Sequence, residues 1–119
     1  MRVLIVEDEV LIRQDVADYL RAYGWDVDEA GNGRIALECM RRAVPDVILL
    51  DLRMPIMNGY QFNAERSRDP ALASVPLILM SGNINEASAH TLGAVAALDK
   101  PVEKERLLAL LAAVKAGLP

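Results

Sequence analysis

Val47-Ile-Leu-Leu50, closed by Asp51, is a run of four apolar residues with no polar member. A strand with one wet face alternates polar and apolar residues, so a short continuous run of this kind suits a strand buried on both faces. Val3-Leu-Ile-Val6 and Leu77-Ile-Leu-Met80 have the same form. Outward from these three, weaker strands are predicted at Asp26 to Ala30 and Ala94 to Asp99; the second is poor in β-branched residues and is read from its place in the alternation.

Amphipathic segments fill the intervals. Leu11, Ile12, Val16, Tyr19 and Leu20 recur at helical spacing, opposite Arg13, Gln14, Asp18 and Arg21, with Gly24 as the stop. Ile35, Ala36, Cys39 and Met40 form a second stripe, opened by Asn32-Gly33 and closed before Pro45. A third helix is predicted from Gly59 to about Arg68, and a last one over Lys104 to Lys115 with Leu107, Leu108, Leu111 and Val114 inward. The series βαβαβαβαβα implies an α/β fold: a doubly wound, five-stranded parallel sheet with helices on both faces and right-handed crossovers.

The chain of 119 residues is read as one domain, residues 1–119, 53% apolar and 25% charged. No apolar run approaches the ~20 residues that span a bilayer, and the N-terminus turns acidic at Glu7 without the pattern of a signal peptide. A cytoplasmic location, with no membrane partner, is the expectation. The net charge of -4 argues against direct binding to nucleic acid. The single cysteine, Cys39, is read as an apolar filler on a helix and Trp25 as a packed turn residue.

In open sheets of this class, ligands sit beyond the carboxyl ends of the strands, where the strand order reverses. Those ends read Glu7-Asp8, Asp51, Ser81 and Lys100. Three acids, a hydroxyl and an amine therefore converge on one rim. Gathered carboxylates repel and call for a cation, and an oxygen-only set suits Mg2+. A carboxylate can also attack phosphorus when a metal and a positive group neutralise the transferring oxygens. Asp51, after the most apolar strand, is the candidate nucleophile, with Lys100 as the positive group and Ser81 as a hydrogen-bond donor to a phosphoryl oxygen. A lone strand-end lysine is usually solvated and a lone serine before glycine usually forms a turn; the joint spacing carries the signal.

Over its whole length the chain resembles the response-regulator receivers of two-component signalling, single-domain chemotaxis regulators among them. The matching stretches are Val3-Leu-Ile-Val-Glu-Asp-Glu9, Asp51-Leu-Arg-Met-Pro55 with Asn58-Gly59, Ser81-Gly82, Gly93-Ala94 and Lys100-Pro101. The resemblance implies a flavodoxin-like sheet of strand order 2-1-3-4-5 with five helices. Asp51 then corresponds to the phosphoacceptor, Asp8 and Asp51 to direct Mg2+ ligands, Glu7 to a ligand of a metal-bound water, and the Arg53 carbonyl to the remaining protein ligand. Ser81 resembles the switch hydroxyl, Lys100 the partner of the phosphoryl oxygens, and Lys100-Pro101 the family's cis peptide. The implied donor is a histidine kinase or histidine phosphotransfer protein. The implied catalysis is limited to self-phosphorylation and slow autodephosphorylation, with no output domain in this chain.

The departures lie on one side. The aromatic that receivers carry three positions before the lysine is Ala97 here, and Ser81 to Lys100 is shorter than the family's usual spacing by about one helical turn. The segment Asn83-Ile-Asn-Glu-Ala-Ser-Ala-His-Thr-Leu92 has middling helix propensity and reads as a short or frayed helix. The expectation is a remodelled signalling face, formed by this segment, the fifth strand and the last helix, that meets a downstream protein through residues 83–98. His90, the sole histidine, is read as solvated. Three rival readings make different demands on these residues. A haloacid-dehalogenase-like phosphatase needs a second acid where Arg53 stands; a flavodoxin would not place Glu7-Asp8-Glu9 against a phosphate; a receiver-like interaction module would signal without phosphate.

Overall fold

The computed structural model describes residues 1–52, 56–82 and 92–117. Five strands, β1 (Arg2–Val6), β2 (Asp26–Ala30), β3 (Val47–Asp51), β4 (Leu77–Ser81) and β5 (Ala96–Asp99), form one sheet in the order β2-β1-β3-β4-β5. Every neighbouring pair is parallel. Five helices lie among the described residues: α1 (Val10–Ala22), α2 (Gly33–Arg42), α3 (Gly59–Ser67), α4 (Pro70–Ala73) and α5 (Lys104–Lys115).

The continuous apolar runs are buried on both faces for a simple reason. Successive strand residues point to opposite sides, so each run feeds two cores. Leu4, Val6, Ile48, Leu50, Leu77 and Leu79 pack with Ala36, Leu37 and Met40 of α2 and with Phe62 of α3. Val3, Ile5, Val47, Leu49, Ile78 and Met80 pack on the other side with Val16, Ala17 and Leu20 of α1 and with Leu107 and Leu111 of α5. Burial of one such side chain contributes about 1.5–3 kcal/mol. The three central strands thus carry most of the core, and their carboxyl ends are fixed along one rim.

Local chemistry sets the helix ends. Asn58 caps α3 by accepting from Gln61 N at 2.9 Å, and the Gln61 side chain accepts from Asn58 N at 2.9 Å, a reciprocal capping box. Asn32 caps α2 by accepting from Ile35 N at 3.0 Å. Trp25 is half-buried and its backbone N–H donates to the Leu20 carbonyl, as expected of a packed turn residue. Cys39 is buried on α2. No helix among the described residues is long and apolar enough to cross a membrane.

Four sequence expectations need correction. Ile35, placed on the apolar stripe of α2, is 39% exposed. Leu11 and Ile12 are not on the buried stripe of α1: Leu11 is 82% exposed and Ile12 38%. The first turn of α1 lies at the rim, where Ile12 borders a shallow cavity with Lys100 and Pro101, instead of over the core. Strand β5 begins at Ala96 and not at Ala94, because the chain first reaches its neighbour where Val95 N donates to Leu77 O at 2.8 Å, just after the left-handed Gly93. The one-turn helix α4 is additional to the predicted alternation, capped by the Asp69 carboxylate on Ala71 N at 3.0 Å with Pro70 in its first turn. The helix predicted around residues 83–92 lies almost wholly outside the described residues.

Arg66 closes the α3–α4 corner. It is 4% exposed, and its guanidinium donates to the carbonyls of Leu72 (3.0 Å), Ala73 (3.3 Å) and Val75 (3.2 Å), while Nε donates to Asn63 Oδ1 at 2.9 Å. Burial lowers its pKa, yet the fork pays for that desolvation by satisfying carbonyls that the short helix leaves open. Arg66→Ala is expected to cost about 2–3 kcal/mol through unpaired buried carbonyls, read by urea unfolding at unchanged m-value. A loss below the error of the measurement would contradict this assignment.

Candidate functional site

The strand order reverses between β1 and β3, and the carboxyl ends of these neighbours carry the acids. Asp51 is the last residue of β3 and 4% exposed; Glu7 follows β1 and is wholly buried; Asp8 is exposed. Carboxylate oxygens of Glu7, Asp8 and Asp51 lie within 4.8 Å of one another. Asp8 has its pKa raised, first by partial desolvation and then by a hydrogen bond to Glu7 and the Glu7 charge. Desolvation and the neighbouring Glu7 together disfavour the ionised form of this outermost member.

Lys100 answers that repulsion. Its ammonium bonds to Glu7 Oε1 and stands 3.3 Å from Asp51 Oδ2. Burial would lower its pKa, but the Glu7 hydrogen bond and the charges of Asp51 and Glu7 outweigh burial and raise it. Lys100 is carried there by the end of β5, where its N–H donates to Ser81 O at 3.0 Å and the Lys100-Pro101 peptide is cis. Ser81 is the last residue of β4 and 5% exposed, in register with Asp99. Glu7, Asp8, Asp51, Ser81 and Lys100, the five residues read from the strand ends, therefore meet at one rim. Arg53 lies outside the described residues, as does His90.

Loop packing keeps this rim tight. Gly59, at the start of α3, lies so close to the chain after β3 that an added Cβ would stand 2.8 Å from Leu52 Cα and 2.9 Å from Asp51 O. Asn58-Gly59 is thus a cap followed by a close backbone approach, and Gly59 N donates to Leu52 O at 3.1 Å. Ala97 is half-buried, paired with Leu79, and packs against the core on the side of Phe62. Only a methyl group stands there.

Sequence reasoning missed Arg13. Its place opposite the apolar stripe suggested a solvated side chain, but its guanidinium turns back to the Glu7 carbonyl (2.8 Å) and to Glu29 on β2 (3.2 Å). Its helical position gives no hint of this, because the partner carbonyl lies in a loop whose path sequence does not fix.

A model of the response regulator receiver domain matches residues 3–112. Protein PilH of Pseudomonas aeruginosa is 33% identical over 119 residues, covering 98% of each chain. A protein-glutamate methylesterase/protein-glutamine glutaminase of Treponema pallidum is 40% identical over 110 residues, which are 87% of this chain and 27% of that protein. Among solved structures, the chemotaxis response regulator CheY4 of Vibrio cholerae is similar with a TM-score of 0.86 and 32% identity, over 95% of this chain and 97% of that one. With its strand order, its acidic rim and these likenesses in agreement, the chain belongs to the response regulator receiver domain family.

Proposed function

We propose that this receiver domain takes a phosphoryl group onto Asp51 from a histidine kinase or a histidine phosphotransfer protein, with Mg2+ beside it, and signals to a downstream protein. The observation that carries the reading is Asp51 itself: a buried carboxylate at the end of the central strand, 3.3 Å from an ammonium and inside a carboxylate cluster. In the reaction an Asp51 oxygen bonds to phosphorus as the donor's N–P bond breaks. Lys100, already drawn to Glu7 and Asp51, follows the negative charge onto the phosphoryl oxygens. Ser81 donates its hydroxyl to another of those oxygens.

The donor set fits Mg2+. It is oxygen-only, carries carboxylates on two adjacent strand ends, and is open at Asp8, which suits an ion that keeps several waters. Asp8 and Asp51 would bind it directly, Glu7 through water, and the Arg53 carbonyl by the family pattern. When bound, the ion draws charge from the transferring oxygens.

The output is proposed to run through residues 83–98 and the adjoining β5–α5 side. Ala97 has no ring to rotate, so Ser81 is left as the moving part, and its carbonyl already holds Lys100 N at 3.0 Å. A phosphoryl group adds about 1.5–2 negative charges, which draw the Ser81 loop inward and pull on the start of the next segment. The same reading expects the chain in the cytoplasm, with self-phosphorylation and slow autodephosphorylation as its only chemistry.

Exposure to Mg2+ and acetyl phosphate, read by intact mass, is expected to add one phosphoryl group to the parent and none to Asp51→Asn. No gain by the parent, with beryllofluoride also failing to bind, would favour a phosphate-independent interaction module. A second outcome follows from the cluster's charge. Because folding raises the pKa of Asp8, its ionisation costs stability as pH rises from the unfolded value through the folded one. Without metal, Asp8→Asn is expected to raise Tm at pH 7, with no difference below the unfolded pKa. Added Mg2+ should stabilise the parent more than the variant; a variant less stable than the metal-free parent would contradict this.

A further inference from the structure

The main chain of Glu7 is held from two sides. Its N–H donates to Ala30 O at 3.0 Å, and its carbonyl accepts from Arg13 Nη1 at 2.8 Å. The Arg13 guanidinium is itself fixed: Nε donates to Glu29 Oε1 at 3.2 Å, and its side chain is 16% exposed. Glu29 is steadied in turn by Arg21, whose Nη2 stands 3.2 Å from the other carboxylate oxygen and donates to Val27 O at 3.0 Å. Gly31 leaves room for this brace, since a Cβ there would lie 3.3 Å from Arg13 Nη1.

The carbonyl that Arg13 holds belongs to the peptide between Glu7 and Asp8. Rotation of that peptide would re-aim the Asp8 carboxylate, which is exposed and hydrogen-bonded to Glu7. Glu7 is steadied by Lys100 and by Glu9 N, 3.3 Å from Oε2, so its carboxylate has other anchors. The aim of Asp8 therefore depends on the backbone at Glu7 as well as on that bond.

We propose that Arg13 is a positioning residue for the metal site: by bracing the Glu7 carbonyl against β2 it sets the direction in which Asp8 meets the cation. The inference rests on the Mg2+ site of the phosphoacceptor reading. Groups one step removed from a metal commonly change affinity by about 10–100-fold when lost. A role confined to joining α1 to β2 would change stability and leave ion affinity alone.

The test is Mn2+ uptake by the full chain, read as loss of the free-ion electron paramagnetic resonance signal and reversed by Mg2+, with Tm measured alongside. Arg13→Gln is expected to weaken binding about tenfold, and Arg13→Lys, which keeps a donor for the Glu7 carbonyl, to recover most of it. Gly31→Ala crowds the guanidinium without backbone strain and should weaken binding in the same direction. Glu29→Gln keeps an acceptor for Arg13 and should lower Tm while affinity stays within about twofold. Parent-like affinity in both Arg13→Gln and Gly31→Ala overturns the inference alone; should Arg13→Gln fail to fold, Gly31→Ala decides. A parent that takes up no Mn2+ overturns both the inference and the reading beneath it.

Discussion

Three carboxylates within 4.8 Å of one another, on the ends of two adjacent strands, are the constraint to which the rest of this molecule answers. Like charges gathered in a partly desolvated rim disperse unless something holds them. Lys100 offsets them from one side, bonding Glu7 and standing 3.3 Å from Asp51. The sheet holds them from below, because β1 and β3 are buried on both faces and cannot shift without disturbing two cores. The loops hold them from the flanks, through Asn58-Gly59 beside Asp51 and Arg13 beside Glu7.

This arrangement explains why Lys100 is brought in from the far end of the chain. Glu7 and Lys100 are 93 residues apart, and only the placement of β4 and β5 beyond β3 lets the lysine reach across. The bond between Lys100 N and Ser81 O couples the two elements that would sense a phosphoryl group. At Ala97, half-buried beside Leu79, only a methyl group faces the core on the side of Phe62.

Much of this was legible in the sequence. The apolar runs ending at Val6, Leu50 and Met80 disclosed doubly buried strands, and strict alternation made their ends share a rim, which brought Glu7, Asp8, Asp51, Ser81 and Lys100 together before any coordinates. The strand order itself was not legible from periodicity, since pairing between distant strands leaves no local pattern; it came from the family resemblance. Leu11 and Ile12 were misplaced because helical spacing identifies a stripe but not where the sheet beneath it ends. Arg13 and Arg66 were missed for a common reason: each turns its charge onto backbone carbonyls, and a carbonyl is the same in every residue.

The most direct measurement is to trap the product at its site. After treatment with Mg2+ and acetyl phosphate, borohydride reduces an aspartyl phosphate to homoserine, and peptide mass spectrometry then locates the altered residue. Homoserine at position 51, and nowhere else, is the expected result. Modification at Glu7 or Asp8 instead, or an unaltered Asp51 in protein that has gained a phosphoryl group, would contradict the assignment of the buried strand-end carboxylate as the acceptor.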